Sequence, residues 1–165
     1  MSVAAQLYLE PGDFRFGAAP LRLATLLGSC VAVTLWHPRR HIGGMCHIQM
    51  PGRSTHADAA LDGRYAHDAF ALFDRELERS RTTAREYIVK LFGGGNMFPN
   101  SRASAIDIGN QNVAAARREL ARRGLAPAVE HVGGAGHRKL IFDLADGDVR
   151  LAFSNLEPAK EAAIG

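Results

Sequence analysis

Cysteine, aromatic residues and long apolar runs are all scarce in this 165-residue chain, and each scarcity excludes a class of protein. Two cysteines cannot supply the disulfide framework of a small secreted domain, so we expect both to be free thiols. No apolar run approaches the ~18 residues that are needed to span a bilayer. The first six residues lack the charged start and apolar block of a secretory signal peptide. We therefore expect a cytoplasmic protein without membrane insertion.

The charge pattern does not favour a nucleic-acid partner. The formal net charge is +3, and aromatic residues make up only 7% of the chain. The arginines Arg117, Arg118, Arg122 and Arg123 surround Glu119, but no aromatic residue is interleaved with them and no nucleic-acid-binding motif is present. We interpret this cluster as the solvated face of a helix.

The length and the apolar pattern predict one α+β domain over residues 1–165. An apolar content of 47% is sufficient for one buried core. The predicted strands are 21–26, 30–36, 42–50, 86–92, 128–132, 139–144 and 149–153, and the predicted helices are 65–77 and a segment from the N-cap Asn110 to Arg123, stopped by Gly124. Residues 1–20 are expected to be irregular, 53–63 a mobile loop, and the part after about 155 a tail. Since strands and helices do not alternate regularly, a mixed layered domain is favoured over a doubly wound parallel sheet.

Turn signals predict two antiparallel hairpins. The strands 30–36 and 42–50 flank a short turn, which places Cys30 near one end of the pair and His47 on the returning strand. Asp146-Gly147 predicts a second tight turn, between the last two strands.

Cys30 and His47 are the candidate catalytic pair. A thiol and an imidazole are the minimum equipment for acyl transfer at an amide or ester carbonyl. Cys30 directly follows Gly28 and Ser29, whose small size lets backbone amides approach a developing oxyanion, so both are candidate oxyanion donors. The spacing alone leaves the alternative open, because free cysteines and strand histidines are more often packing residues.

Other conspicuous residues have simpler interpretations. Cys46 precedes His47 on the same strand, so its side chain points to the opposite face and we expect it in the core. Adjacent strand residues cannot converge on one ion, which argues against a metal site formed by Cys30, Cys46 and His47, and we expect no cofactor. Gly93-Gly94-Gly95 lacks the ending of a phosphate loop and predicts either a tight turn or a close backbone approach near the site. The remaining expectations are a helix cap and a first-turn residue at Asn110 and Asn112, exposed positions for His56 and His67, and either an exposed apolar rim or a core position for Met97-Phe98.

Several motifs, in one order, resemble the chemoreceptor glutamine deamidases of the CheD family. They are 27–33 (LGSCVAV), 43–51 (GGMCHIQMP), 93–98 (GGGNMF), 108–112 (IGNQN), Gly133-Gly134, Arg138 and the Asp146-Gly147 turn. The resemblance as a whole extends from about residue 20 to residue 153 and therefore covers most of the chain.

The resemblance implies hydrolysis of glutamine side-chain amides on bacterial methyl-accepting chemoreceptors, and it can also imply hydrolysis of glutamyl methyl esters. By position, Cys30 is then the nucleophile, His47 the general acid and base, and Thr25 the residue that orients His47. The implied fold is a layered α/β sandwich of mixed β-sheet flanked by helices, similar to the catalytic domain of cytotoxic necrotizing toxins. A CheC-type phosphatase is a partner in some bacteria.

Two alternatives to this function stay open at this point. One is a non-catalytic binding or regulatory module for a chemotaxis phosphatase or receptor. The other is a toxin-like deamidase that acts on a host protein.

Overall fold

Nine strands and two α-helices in the described residues stack as sheet, sheet and helices. The computed structural model describes residues 3–55, 60–101 and 107–156. The strands are β1 (Ala5–Leu9), β2 (Phe14–Ala18), β3 (Leu21–Leu27), β4 (Val31–His37), β5 (Ile42–Ile48), β6 (Ile88–Gly93), β7 (Val129–Val132), β8 (Gly136–Asp143) and β9 (Val149–Asn155). The helices are α1 (Ala66–Arg79) and α2 (Ile108–Arg122), and a 3-10 turn covers Ala84–Glu86.

The strands form two sheets, ordered β1-β3-β8-β9 and β2-β5-β4-β6-β7. One core fills the space between the sheets and includes Leu23, Leu27, Ala32, Met45, Phe92, Leu140 and Phe142. A second core lies between the five-stranded sheet and the helices and includes Val33, Cys46, Ile48, Phe70, Val113 and Leu120. The predicted layered α+β arrangement is therefore present, and in the described residues it consists of two sheets with both helices on the outer face of the five-stranded sheet.

The central position of β4 explains why its sequence is apolar without alternation. Val31 and Val33 pack towards the helices, and Ala32 packs between the sheets. A strand that is buried on both faces favours apolar residues at most positions, on either face. Its neighbour β5 is also covered on both faces, so Cys46 lies in the helix-side core, as predicted.

The α2 N-terminus lies earlier than the sequence suggests. The side chain of Asp107 caps the helix by accepting a hydrogen bond from the Asn110 backbone N–H at 3.0 Å. The prediction of Asn110 as the cap was therefore wrong. Gly109 disfavours a helix, yet it lies in the first turn of α2. A glycine is needed there because the backbone of Gly94 packs so close that a Cβ atom would overlap it. The predicted stop at Gly124 is confirmed, with a φ of 69° after the last helical turn.

Both predicted hairpins are present. In the first, Ala32 of β4 lies opposite His47 of β5. In the second, β8 and β9 pair antiparallel around the turn that contains Gly147.

Residues 1–20 are more regular than expected. They contain β1, which pairs parallel with β3, and β2, which pairs antiparallel with β5. The parallel pairing of β1 leaves no turn signal in the sequence. The expectations for His56, for the middle of the loop 53–63 and for the tail from residue 157 onward lie outside the described residues. Neither α1 nor α2 is long and apolar enough to cross a membrane.

Candidate active site

Thr25 and His47 meet between the two sheets, one from each. Thr25 on β3 and His47 on β5 are both buried, and the Thr25 Oγ1 atom lies 2.7 Å from His47 Nδ1. The same hydroxyl donates to the Leu9 carbonyl oxygen at 2.7 Å. A hydroxyl has one proton and a carbonyl can only accept, so Thr25 must accept its second hydrogen bond from His47 Nδ1–H. The imidazole is thereby fixed in the tautomer whose Nε2 lone pair is free to take a proton.

Burial keeps His47 neutral. It lowers the pKa of His47 from 6.5 to about 4, while the Leu9 carbonyl and the charge of Asp13 act in the opposite direction. The His47 backbone is also fixed, since its N–H donates to Asp13 O at 3.1 Å and its carbonyl accepts from Gly12 N at 2.9 Å. At neutral pH the imidazole is therefore unprotonated at Nε2 and has a lone pair free to accept a proton.

Cys30 lies on the same face of the β4–β5 hairpin as His47. Ala32 is the cross-strand partner of His47, and Cys30, two residues earlier, packs against the core between the sheets. In an antiparallel pair, such diagonal neighbours are within reach of long side chains. In the described part of the chain, His47 makes its side-chain hydrogen bond with Thr25 and none with Cys30.

The two thiols differ in environment. Cys30 is partly exposed, and burial of part of its side chain raises its pKa above the ordinary value of 9.0. Cys46 is completely buried, which raises its pKa to about 12. Only Cys30 is open to a reagent or substrate in the folded protein.

The loop 28–30 is fixed by hydrogen bonds from the glycine triplet to two of its carbonyl groups. The Gly28 carbonyl accepts from Gly95 N at 2.9 Å, and the Cys30 carbonyl accepts from Gly94 N at 2.8 Å. A Cβ atom at Gly93 would overlap the Cys30 carbonyl oxygen. Of the two predicted roles of the glycine triplet, the close backbone approach is present, and it takes place at residues 28–30, the loop that ends in Cys30 and is called the nucleophile loop below, after the role proposed for Cys30.

A cavity of about 220 Å³ opens beside Ser29. Its walls include the backbone of Gly95 and the side chains of Met97, Phe98 and Ile108. Phe98 is 62% exposed, so the rim interpretation is the right one for this residue. Glycine at position 28 leaves room for Met97, whose Sδ would be only 3.1 Å from a Cβ there.

Asn112 was missed as a site residue. Sequence reasoning placed it as an ordinary first-turn residue, but its side chain is completely buried and contacts Ser29 and Gln49. The signal was present in the helix pattern: Asn112 precedes the buried Ala116 and Leu120 by four and eight residues, which places an amide on the apolar stripe. A buried amide at such a position requires partners.

Arg138 is a second buried polar side chain near the glycine triplet. Its Nε donates to His131 Nδ1 at 2.8 Å and its Nη2 to the Gly133 carbonyl at 2.5 Å, while the guanidinium lies over the Phe153 ring. It therefore fixes the loop after β7, whose Gly134 carbonyl accepts from Asn96 N.

The arginine cluster at the end of α2 is only partly the solvated face that the sequence predicted, because Glu119 at its centre is buried and Arg123 also pairs with Asp74 of α1. Arg117 pairs with Glu130, and Arg122 and Arg123 pair with Glu119. His67 is partly exposed beside Glu119, 3.4 Å away. Among the described ranges, no group of three His, Cys, Asp or Glu side chains is placed to hold a metal ion.

Comparisons with known proteins agree with the motif resemblance. Residues 49–153 match the family model described as "CheD chemotactic sensory transduction". A probable chemoreceptor glutamine deamidase CheD 3 of Dechloromonas aromatica is 51% identical over 90% of this chain and 87% of its own length. A probable chemoreceptor glutamine deamidase CheD of Pseudomonas syringae pv. tomato is 43% identical over 97% of this chain and 96% of its own length. The second similarity extends over so much of the chain that it includes the segment with Thr25, Cys30 and His47.

Proposed function

The chain belongs to the CheD family of chemoreceptor glutamine deamidases, and we propose that Cys30, His47 and Thr25 carry out its reaction. The enzyme is a protein-glutamine amidohydrolase of bacterial chemotaxis. The observation that carries the residue assignment is the hydrogen-bond chain from His47 through Thr25 to the Leu9 carbonyl. This chain leaves Nε2 free on the face that Cys30 shares.

The first step forms a thioester. As Cys30 Sγ attacks the carboxamide carbon of a substrate glutamine, His47 Nε2 accepts the thiol proton. His47 then gives this proton to the departing nitrogen, and ammonia leaves as the C–N bond breaks. Because the thiol pKa is raised and the imidazole pKa is lowered, the resting pair is neutral, and proton transfer accompanies the attack.

The second step uses the same base. His47 Nε2 takes a proton from water, the resulting hydroxide attacks the thioester carbonyl, and the C–S bond breaks. The thiol of Cys30 regains its proton, and the substrate side chain is released as glutamate. The balance is one amide and one water consumed, one carboxylic acid and one ammonia formed.

Backbone amides of the nucleophile loop are the proposed oxyanion donors. In a trans peptide the C=O and the following N–H point in opposite directions. The Gly28 carbonyl is held by Gly95 N and the Ser29 carbonyl by Asn112, which directs the Ser29 and Cys30 N–H groups away from those partners. Fixed donors of this kind stabilise a tetrahedral oxyanion without reorganisation. The Gly28 amide, at the start of the same loop, is the third candidate.

The cavity beside Ser29 is the proposed entry for the substrate side chain. Its volume of about 220 Å³ and its apolar walls suit the methylene groups of glutamine, with the carboxamide at the loop end. The proposed substrates are chemoreceptors, following the names of the relatives. Hydrolysis of glutamyl methyl esters, a regulatory CheC-type phosphatase, a cytoplasmic location and the likeness to the catalytic domain of cytotoxic necrotizing toxins stay predictions.

The decisive experiment is mass spectrometry of a chemoreceptor cytoplasmic fragment after incubation with the protein. We expect glutamine residues to gain the mass difference between Gln and Glu, with ammonia released in equal amount. Cys30→Ala should abolish both signals and keep the native melting curve, whereas Cys46→Ala should keep the activity. Full activity of Cys30→Ala would overturn the mechanism.

A further inference from the structure

Asn112 links the nucleophile loop to the strand that carries the base. It lies in α2 with its side chain completely buried, and its Nδ2 donates to the Ser29 carbonyl and to the Gln49 carbonyl, both at 3.0 Å. Two carbonyl acceptors face the same atom, so that atom must be the amide nitrogen, and both of its protons are used.

Each of the two acceptors lies within two residues of a proposed reacting group. The Ser29 carbonyl belongs to the same peptide unit as the Cys30 N–H, so the bond to Asn112 sets the direction of that N–H. Gln49 follows His47 by two residues, directly after the end of β5. One side-chain amide thus holds the backbone beside the nucleophile and the backbone beside the base at a fixed separation.

Stability alone does not account for an asparagine at this position. Its Oδ1 atom is buried and has no hydrogen-bond partner among the described residues. A buried acceptor without a partner is destabilising. The rest of the stripe on α2, Ala116 and Leu120, is apolar. The two hydrogen bonds that its amide donates are therefore what asparagine adds at this position, and the unpaired Oδ1 atom is their cost.

We propose that Asn112 is a positioning residue for the deamidation reaction: by clamping Ser29 to Gln49 it holds Cys30, with its backbone N–H, in register with His47. The inference rests on the proposed roles of Cys30 and His47. Asn112 touches no reacting atom and its Nδ2 protons are both engaged, so its loss is expected to change turnover more than substrate binding.

The test is steady-state kinetics on a chemoreceptor fragment with Asn112→Ala, Asn112→Asp and Asn112→Ser. A displacement of about 1 Å at a catalytic group costs up to about 100-fold in rate. We expect kcat to fall about 10- to 100-fold in Asn112→Ala and Asn112→Asp, with KM nearly unchanged. Asn112→Ser, which keeps one donor, should lose less. In the absence of substrate, the rate at which iodoacetamide modifies Cys30 should differ most from that of the native protein in Asn112→Ala and Asn112→Asp, and less in Asn112→Ser.

Leu120→Ala is the matched control for loss of stability. Leu120 is completely buried on the same stripe of α2, two turns from the nucleophile loop. We expect this variant to lower the melting temperature while kcat stays near that of the native protein. If an Asn112 variant retains full kcat, or loses no more than Leu120→Ala at equal loss of melting temperature, Asn112 is only a packing residue.

Asn112→Ser keeps the test decisive if the other two variants do not fold, since full kcat in this variant also overturns the clamp. Cys30→Ala in the same assay separates the two proposals. If Cys30→Ala is inactive and the Asn112 variants are unaffected, only the clamp is wrong. If Cys30→Ala is active, the catalytic assignment itself has failed.

Discussion

Thr25 Oγ1 and His47 Nδ1 lie 2.7 Å apart, although the two residues belong to different sheets. A third group, the Leu9 carbonyl, decides the direction of this hydrogen bond. It accepts a hydrogen bond from the single proton of the Thr25 hydroxyl, so the hydroxyl must accept from His47 Nδ1–H. Two neighbouring strands of the four-stranded sheet therefore decide which nitrogen of a histidine on the other sheet carries the proton. The geometry of the proposed catalytic residues Thr25 and His47 therefore depends on the packing of the two sheets.

This relationship predicts different outcomes for two substitutions of Thr25. Thr25→Ser keeps the hydroxyl and should retain most of kcat. Thr25→Val keeps the shape but removes the hydroxyl, which leaves the Leu9 carbonyl and His47 Nδ1–H unpaired and frees the imidazole to change tautomer. We expect kcat to fall about 10- to 100-fold and the free energy of unfolding to fall by about 1–3 kcal/mol.

Thr34→Val is the control for the loss of a buried threonine hydroxyl. Thr34 is as deeply buried as Thr25, but it lies on β4, opposite Met45 instead of the histidine. Kinetics and urea unfolding of the three variants are compared on one preparation. Equal kcat in Thr25→Val and Thr34→Val would contradict the orienting role of Thr25.

Alkylation separates the two thiols. Iodoacetamide should modify Cys30 in the folded protein and Cys46 only after unfolding, because Cys46 is completely buried. Since burial raises the pKa of Cys30 above 9.0, its modification rate should keep rising with pH through the neutral range. Peptide mass spectrometry measures both sites. A rate that is already constant below neutral pH would instead indicate a preformed thiolate–imidazolium pair.

The buried imidazole predicts a loss of stability in acid. His47 has a pKa of about 4 in the folded protein and an ordinary value of 6.5 when unfolded, so the unfolded state binds the proton first. The contribution of neutral His47 to the free energy of unfolding is fully present above pH 6.5, and it is lost as the pH falls from 6.5 to about 4. The loss amounts to about 3 kcal/mol in unfolding free energy. His47→Gln, which does not titrate, should lose less stability over this range in urea unfolding, and identical pH dependence of the two proteins would refute the argument.

Local sequence signals anticipated the strands and turns that flank the site. The β4–β5 hairpin follows from two apolar runs around a short turn, and it already places Cys30 and His47 on one pair of strands. The opposite orientation of Cys46 follows from the period of two along a strand. These features depend on residues close together in the chain.

The groups that complete the site come from distant segments, and the sequence does not show them. Thr25 reaches His47 only because two sheets pack face to face, and Leu9 joins them through a parallel pairing that needs no local turn. Backbone carbonyls carry no residue signature, so their role as acceptors is visible only in the fold. Asn112 is an intermediate case, since its polar side chain on an apolar stripe shows burial but not its partners.

The glycine triplet allows a test that separates backbone conformation from close packing. Gly94 and Gly124 have nearly the same positive φ, 68° and 69°, so alanine pays a similar conformational cost at both, about 1–2 kcal/mol. Around Gly124 there is open space, whereas a Cβ at Gly94 would lie 2.7 Å from the Gly109 carbonyl oxygen and overlap Val113. The extra effect of Gly94→Ala therefore measures the packing of the loop against α2.

We expect Gly124→Ala to lower the melting temperature slightly and to leave kcat unchanged. Gly94→Ala should lower the melting temperature further and also reduce kcat, because Gly94 N–H holds the Cys30 carbonyl at 2.8 Å and a displaced triplet moves the nucleophile. Melting curves and deamidation kinetics on the two variants give both quantities. Equal effects at the two positions would show that the contact between the triplet and the nucleophile loop does not depend on the close approach of α2 to Gly94.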